Sequence, residues 1–137
     1  MAAGYSGTPT AQKLGLTPGS RVIVSGMPGD YDRLVGGIPA GVELRSSLRG
    51  KADIVHVFVK READLTKRLD AMRKPIEPDG AIWVSWPKRT SKVATDLTED
   101  AIRRVALRNG LVDVKVCAID ETWSALKLVI PLAQRRR

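Results

Sequence analysis

The segment Trp86-Pro87-Lys88-Arg89-Thr90-Ser91-Lys92 combines an aromatic ring, cations and hydroxyls within a short stretch. Guanidinium and ammonium groups beside hydroxyls are the donors with which proteins bind phosphate or carboxylate. Lys60 and Arg61 supply two further cations, and Thr95 supplies another hydroxyl. These residues predict recognition of a small anion.

The apolar segments before these residues predict the strands that position them. Residues 54–59 are apolar at both parities except for one histidine, which is typical of a strand covered on both faces in a parallel sheet. Residues 81–85 predict a second central strand. Lys60, Arg61 and the loop from Trp86 then leave the carboxyl ends of these strands, the edge at which open α/β sheets bind ligands.

Two helices are predicted between and after these strands. Leu65, Leu69 and Met72 recur at helical spacing and share one face. A second helix begins at Thr98, whose hydroxyl can cap free amides, and ends at Asn109-Gly110.

Shorter patterns predict the remaining elements. Thr8-Pro9 opens a short helix, residues 21–25 form a strand, and one helical turn covers residues 31–35. Residues 42–45 predict a weaker strand. Pro78-Asp79-Gly80 predicts a turn.

The end of the chain predicts an antiparallel hairpin. Residues 112–119 and 123–130 are apolar segments joined by Asp120-Glu121-Thr122, and Trp123 follows at the same edge. Strands alternating with helices elsewhere predict a mostly parallel sheet. The fold class is therefore α/β, a truncated Rossmann-like domain with a C-terminal antiparallel hairpin.

One connection does not fit a standard crossover. Seven residues separate Arg45 from Asp53, whereas a helical crossover between parallel strands needs about a dozen. Either the strand at residues 42–45 pairs differently, or an extended segment replaces a helix.

Composition predicts one domain over residues 1–137, with an N-terminal arm at 1–19 and a basic tail at 131–137. The chain is 43% hydrophobic and 28% charged, with a net charge of +8 that favours anionic partners. No apolar run reaches the roughly 18–20 residues of a membrane span, and residues 1–7 lack the pattern of a signal peptide. A single cysteine favours the cytoplasm.

The residues most often used in catalysis are scarce. His56 is the only histidine and lies mid-strand, so we expect it to be a hydrogen-bonded core residue. Cys117 lies in an apolar strand and is expected to be a small buried hydrophobe. One histidine and one cysteine are too few for a zinc site, and no metal or catalytic residue is predicted.

Two resemblances follow from longer segments of the chain. Asp53 to Ile130 resembles the C-terminal half of a class I S-adenosylmethionine-dependent methyltransferase fold. The whole chain resembles more closely a small bacterial family catalogued as domain of unknown function 3052, which implies no known activity. The segments that carry this second resemblance are Gly4-Tyr5-Ser6-Gly7-Thr8-Pro9, Trp86-Pro87-Lys88, Ala94-Thr95-Asp96-Leu97-Thr98-Glu99-Asp100 and Lys115-Val116-Cys117-Ala118-Ile119-Asp120-Glu121-Thr122-Trp123-Ser124.

The methyltransferase resemblance implies a cofactor site that this sequence matches only in part. Such enzymes hold the cofactor with a Gly-x-Gly-type turn after the first strand and an acidic residue at the end of the second strand. Here Gly26 and Gly29 flank Met27-Pro28, and proline removes a useful N–H. Glu43 is the acid available, and it comes early in its strand.

The main expectation for function is a non-catalytic cytoplasmic module without a cofactor, which binds a small anion or a protein partner at the carboxyl edge. A methyltransferase that uses S-adenosylmethionine is the first alternative. A basic protein that associates nonspecifically with nucleic acid is the second. The residues assigned to the ligand site are Trp86, Lys88, Arg89, Ser91, Lys92, Thr95, Asp120, Glu121 and Trp123.

Overall fold

Strands and helices alternate along the chain in the computed structural model, which describes residues 9–135. The strands are β1 (Arg21–Ser25), β2 (Glu43–Arg45), β3 (Ala52–Phe58), β4 (Ile76–Pro87), β5 (Val112–Ala118) and β6 (Trp123–Val129). The helices are α1 (Thr10–Lys13), α2 (Tyr31–Leu34), α3 (Glu62–Arg73) and α4 (Glu99–Arg108), with short 3₁₀ turns at Arg89–Ser91 and Leu132–Gln134. Thr8, which was predicted to begin α1, lies outside the described residues.

The six strands form one sheet in the order β2-β1-β3-β4-β6-β5. The first four strands are parallel, and β6 is antiparallel to both of its neighbours. The predicted α/β class and the closing hairpin are confirmed. Because β1 has β2 on one side and β3 on the other, the strand order reverses at β1 and β3, which defines the switch point of the sheet.

The short connection after β2 contains no helix. β2 pairs in parallel with β1 at the sheet edge, while β3 pairs with the opposite side of β1. Residues 46–51 therefore cross β1 as a non-helical segment. Of the two alternatives, the extended segment is the one observed.

Helices cover both faces of the sheet. On one face, α3 and α4 bury Leu65, Leu69 and Ile102 against strands β3, β4 and β6. On the other face, Leu14 at the end of α1 and Tyr31 of α2 pack against buried residues of β1, β3 and β4. The sheet is thus the middle layer, and its carboxyl edge is left to the loops.

The turn predicted at Pro78-Asp79-Gly80 is wrong. These residues continue β4, and the register with β3 shifts between Ala52 and Ile54. A Cβ on Gly80 would lie 2.7 Å from the carbonyl oxygen of Asp53, so only glycine allows this approach. Proline and glycine mark an irregularity within the strand here.

Between residues 9 and 135, no helix combines the length and the apolar character that crossing a membrane requires.

Candidate ligand-binding site

The predicted site residues are distributed over separate cavities at the carboxyl edge. A cavity of about 450 Å³ opens at the switch point, between the loop after β1 and the segment after β3. We call it the switch crevice. Its lining residues are Gly26, Pro28, Phe58, Val59, Lys60, Arg61, Asp64, Arg68 and Trp123.

The floor of the switch crevice is aromatic and tightly packed. The rings of Phe58 and Trp123 meet edge to face, with centroids 5.2 Å apart. Gly26 has φ +73°, and a Cβ there would lie 2.7 Å from the carbonyl oxygen of Phe58. The loop after β1 therefore lies directly on the end of β3, and this glycine serves backbone geometry.

Cations outnumber carboxylates around the switch crevice. Arg68 donates to Oδ2 of Asp64 at 3.1 Å and also to the hydroxyl of Ser25 at the end of β1. Lys60 and Arg61 are exposed, and neither has a carboxylate partner within residues 9–135. The switch crevice therefore has two cations without an ion-pair partner, Lys60 and Arg61. The guanidinium of Arg68 is held in place by Asp64 and Ser25.

Sequence reasoning missed Arg68. It lies four residues after Asp64 on α3, so from the sequence it is an ordinary helix-surface ion pair. Only the packing of α3 beside β1 brings its guanidinium to Ser25.

The loop after β4 forms a second cavity, of about 470 Å³, which we call the loop cavity. Trp86, Arg89, Lys92 and Thr95 line it. Lys92 has φ +64°, a left-handed conformation that residues other than glycine adopt at an energetic cost.

Trp86 and Trp123 do not share a pocket. Trp123 lies opposite Pro87 in the β4/β6 register, one position from Trp86. Since neighbouring strand positions alternate faces, Trp86 packs beneath α3 and α4, while Trp123 packs on the α1 and α2 side. The loop cations next to Trp86 are therefore separated from Trp123.

Several predicted ligand donors are used within the loops. The hydroxyl of Ser91 donates to the carbonyl of Lys88 at 2.6 Å, and the amide of Lys88 donates to the carbonyl of Thr122 at 2.7 Å. The hydroxyl of Thr95 donates to the carbonyl of Lys60 at 2.6 Å. These bonds hold the loop in place.

Asp96 ties the same loop to α3. Its Oδ1 accepts the amide of Glu62 at 2.7 Å, at the start of α3. Thr98 caps α4 as predicted, accepting the amide of Ala101 at 3.1 Å. The loop after β4 is thus fastened to the rim of the switch crevice by Thr95 and Asp96.

Asp120 shapes the hairpin turn. Its Oδ1 accepts the amides of Thr122 and Trp123, each at 2.8 Å. It also lines a cavity of about 440 Å³ beside α2, together with Gly29 and Arg33. Glu121 is exposed on the turn.

Glu43 is not brought together with Gly26. It pairs with Arg21 at the first position of β1, and its carboxylate binds Arg45 at 2.9 Å. Gly26 lies five positions after Arg21, which amounts to roughly 16 Å along the strand.

His56 lies in a buried polar chain. Its Nδ1 is 2.7 Å from the hydroxyl of Tyr31, and its Nε2 is 2.6 Å from Oγ of Ser85. Burial lowers the pKa of His56 to about 3 and raises the pKa of Tyr31 above its usual value. All three side chains are buried, so this serine and histidine do not meet a substrate.

Cys117 and the acidic residues show no metal-binding arrangement in the described part of the chain. Cys117 is a buried free thiol whose pKa is raised by that burial. Across residues 9–135, no cluster of three or more histidine, cysteine or acidic side chains has the geometry to hold a metal ion.

Comparison with known families places the chain clearly. The model of a family described as "Protein of unknown function (DUF3052)" matches residues 11–132. No curated protein sequence gives a significant match.

Several solved structures with similar folds are described as methyltransferases. A SAM-dependent methyltransferase from Aquifex aeolicus is 10% identical, with 88% of this chain and 87% of that chain covered and a TM-score of 0.67. Magnesium protoporphyrin IX methyltransferase from Synechocystis PCC 6803, with bound SAH, is 14% identical, with 88% and 78% covered and a TM-score of 0.59. At these identities the likeness concerns the fold.

Proposed function

The chain belongs to the DUF3052 family, and from that premise we propose that it binds a small phosphate- or carboxylate-bearing anion in the switch crevice. One observation carries the proposal. A cavity lined by Lys60, Arg61 and Arg68 opens at the switch point, where sheets of this kind bind ligands.

Charge and solvation support an anionic occupant. Arg68 is already oriented by Asp64 and Ser25, so less side-chain freedom is lost when it donates to a ligand. Lys60 and Arg61 remain available, and the apolar floor of Phe58 and Trp123 limits competing water. Such a site favours a compact anion with an apolar or planar portion.

A binding role without catalysis agrees with the lining residues. The one carboxylate among them, Asp64, is neutralised by Arg68, and His56 is buried in the core. The lining therefore offers no free general base. We place this function in the cytoplasm, because the buried free thiol of Cys117 suits a reducing compartment.

The experiment is a thermal-shift and calorimetric titration with pyrophosphate, AMP and citrate. A ligand at a hundred times its Kd stabilises the folded state by about 2.7 kcal/mol. We expect saturable binding of at least one probe, weakened about tenfold or more in the variant Lys60→Ala/Arg61→Ala. No stabilisation by any probe at 10 mM contradicts the proposal.

The matched control carries the same loss of charge in the loop cavity. The variant Arg89→Ala/Lys92→Ala should keep wild-type affinity, because these residues line the other cavity. Loss of binding in this variant, with binding retained in Lys60→Ala/Arg61→Ala, would move the site to the loop after β4.

The second candidate function is methyl transfer. It is favoured by the fold neighbours, one of which is described with bound SAH. The residues of this chain fit that cofactor poorly, because Glu43 of β2 lies beside the opposite end of β1 and Pro28 in the switch crevice offers no N–H. Saturable stabilisation by S-adenosylhomocysteine, with no saturable binding of pyrophosphate, AMP or citrate, would favour this candidate.

A further inference from the structure

Two lysines face each other in the closing hairpin, outside the switch crevice. Lys115 of β5 and Lys127 of β6 are direct cross-strand partners. Like charges in this position destabilise a sheet. The folded protein is therefore less stable with this lysine pair than it would be with a neutral residue at either position.

A bulge in β5 creates this pairing. Asp113 lies opposite Leu128, but Lys115 lies opposite Lys127, so Val114 is an extra residue in the strand. Without it, Lys115 would share the α4 face with Asp113, since strand residues alternate faces. Bulges re-aim side chains, and this one brings Lys115 beside Lys127.

Two further cations lie near the lysine pair. Lys127 lines a cavity together with Leu14, the neighbour of Lys13, and Arg135 donates to the carbonyl of Ile130, three residues after Lys127, at 2.9 Å. Burial lowers the pKa of Lys127, and the charges of Lys115 and Arg135 lower it further. Burial raises the pKa of Cys117, while the charges of Lys13 and Lys115 lower it. We call Lys13, Lys115, Lys127 and Arg135 the hairpin patch.

The cations of the hairpin patch form no direct ion pairs within the described residues. Among residues 9–135, no carboxylate lies within ion-pair distance of any of its four cations. In the sequence, two more arginines follow Arg135. A cluster of cations that repel one another in the free protein is stabilised when a polyanion binds.

We propose that the hairpin patch binds the phosphate backbone of double-stranded nucleic acid without reading its sequence. Every aromatic side chain of residues 9–135 is buried, so the patch has no ring to stack on unpaired bases or to anchor in a lipid interface. Binding to the regularly spaced phosphates of a duplex requires cations and no exposed aromatic ring. This proposal is independent of the switch crevice.

The test is fluorescence anisotropy of a labelled 20-base-pair DNA duplex with the full-length protein between 50 and 200 mM salt. Four phosphate contacts give a slope of log K against log salt of roughly −3.6. The variant Lys115→Gln/Lys127→Gln should flatten the slope by roughly 1.8. Its thermal midpoint should stay the same or rise, because a repulsive pair is removed.

A control with the same loss of charge identifies the surface. Lys51→Gln/Lys67→Gln changes two exposed lysines outside the patch and should leave the slope unchanged. Equal losses in both variants, or no duplex binding at 50 mM salt, would overturn the proposal. So would binding to vesicles with 30% phosphatidylserine that exceeds binding to the duplex.

Discussion

Gly26 lies against Phe58 so closely that a Cβ atom on the glycine would be 2.7 Å from the phenylalanine carbonyl oxygen. This contact joins the loop after β1 to the end of β3. It closes the floor of the switch crevice and leaves its entrance to the side chains around it, Lys60, Arg61 and Arg68. The shape of the site therefore depends on one glycine.

Replacing this glycine should be far more costly than replacing a comparable one. Gly26→Ala introduces both a strained φ of +73° and a clash with backbone, which we expect to cost about 3 kcal/mol of unfolding free energy. Gly36 has φ +76° with no atom within 4 Å of its Cβ position, so Gly36→Ala should cost about 1 kcal/mol. Urea denaturation measures both, and equal losses would show that the contact is unimportant.

Acid should destabilise the protein through His56. Its pKa is about 3 in the folded state because of burial, against about 6.5 when unfolded, so the unfolded state binds an extra proton between these values. The contribution of His56 to the free energy of unfolding is therefore present above pH 6.5. It decreases as the pH is lowered, by about 2 kcal/mol at pH 5.

Denaturation curves at pH 7.5, 6 and 5 measure this effect before most carboxylates titrate. His56→Gln lowers stability at every pH but should remove most of the slope in this range. A wild-type stability that is flat between pH 7.5 and 5 would contradict the neutral, buried histidine.

Asp96 should matter for stability although it lies on a loop. Asp96→Ala removes the acceptor of the Glu62 amide at the start of α3 and should cost about 1 kcal/mol. Asp79→Ala, at an exposed carboxylate without a hydrogen-bond partner in the described chain, is the control and should cost little. Thermal unfolding compares the two variants. A larger loss of stability in Asp79→Ala than in Asp96→Ala would contradict the role of Asp96 at the start of α3.

Tryptophan emission should distinguish the two cavities. Pyrophosphate in the switch crevice should change the emission of the wild type and of Trp86→Phe, because Trp123 lines this crevice. Trp123→Phe should lose the response while binding persists by calorimetry. A response that is lost in Trp86→Phe instead would place the ligand in the loop cavity.

Local patterns predicted much of the fold. The apolar segments and the spacing of Leu65, Leu69 and Met72 correctly predicted the central strands and α3, because burial on a regular element leaves a period in the sequence. The turn predicted from Pro78 and Gly80 was wrong, because proline and glycine occur at strand irregularities as well as in turns.

The site was less predictable because it depends on pairing between distant segments. Only the β4/β6 register decides that Trp86 and Trp123 face opposite ways. In the same way, Asp96 caps a helix 34 residues earlier in the chain, and Arg68 reaches Ser25 only through packing. No pattern within one element carries this information.

Amide chemical shifts of the ¹⁵N-labelled protein during a pyrophosphate titration test the switch crevice most directly. We expect saturable shifts at Gly26, Lys60 and Arg61 and at the Trp123 indole, with Arg89 and Lys92 unaffected. Shifts confined to Arg89, Lys92 and their neighbours would contradict it.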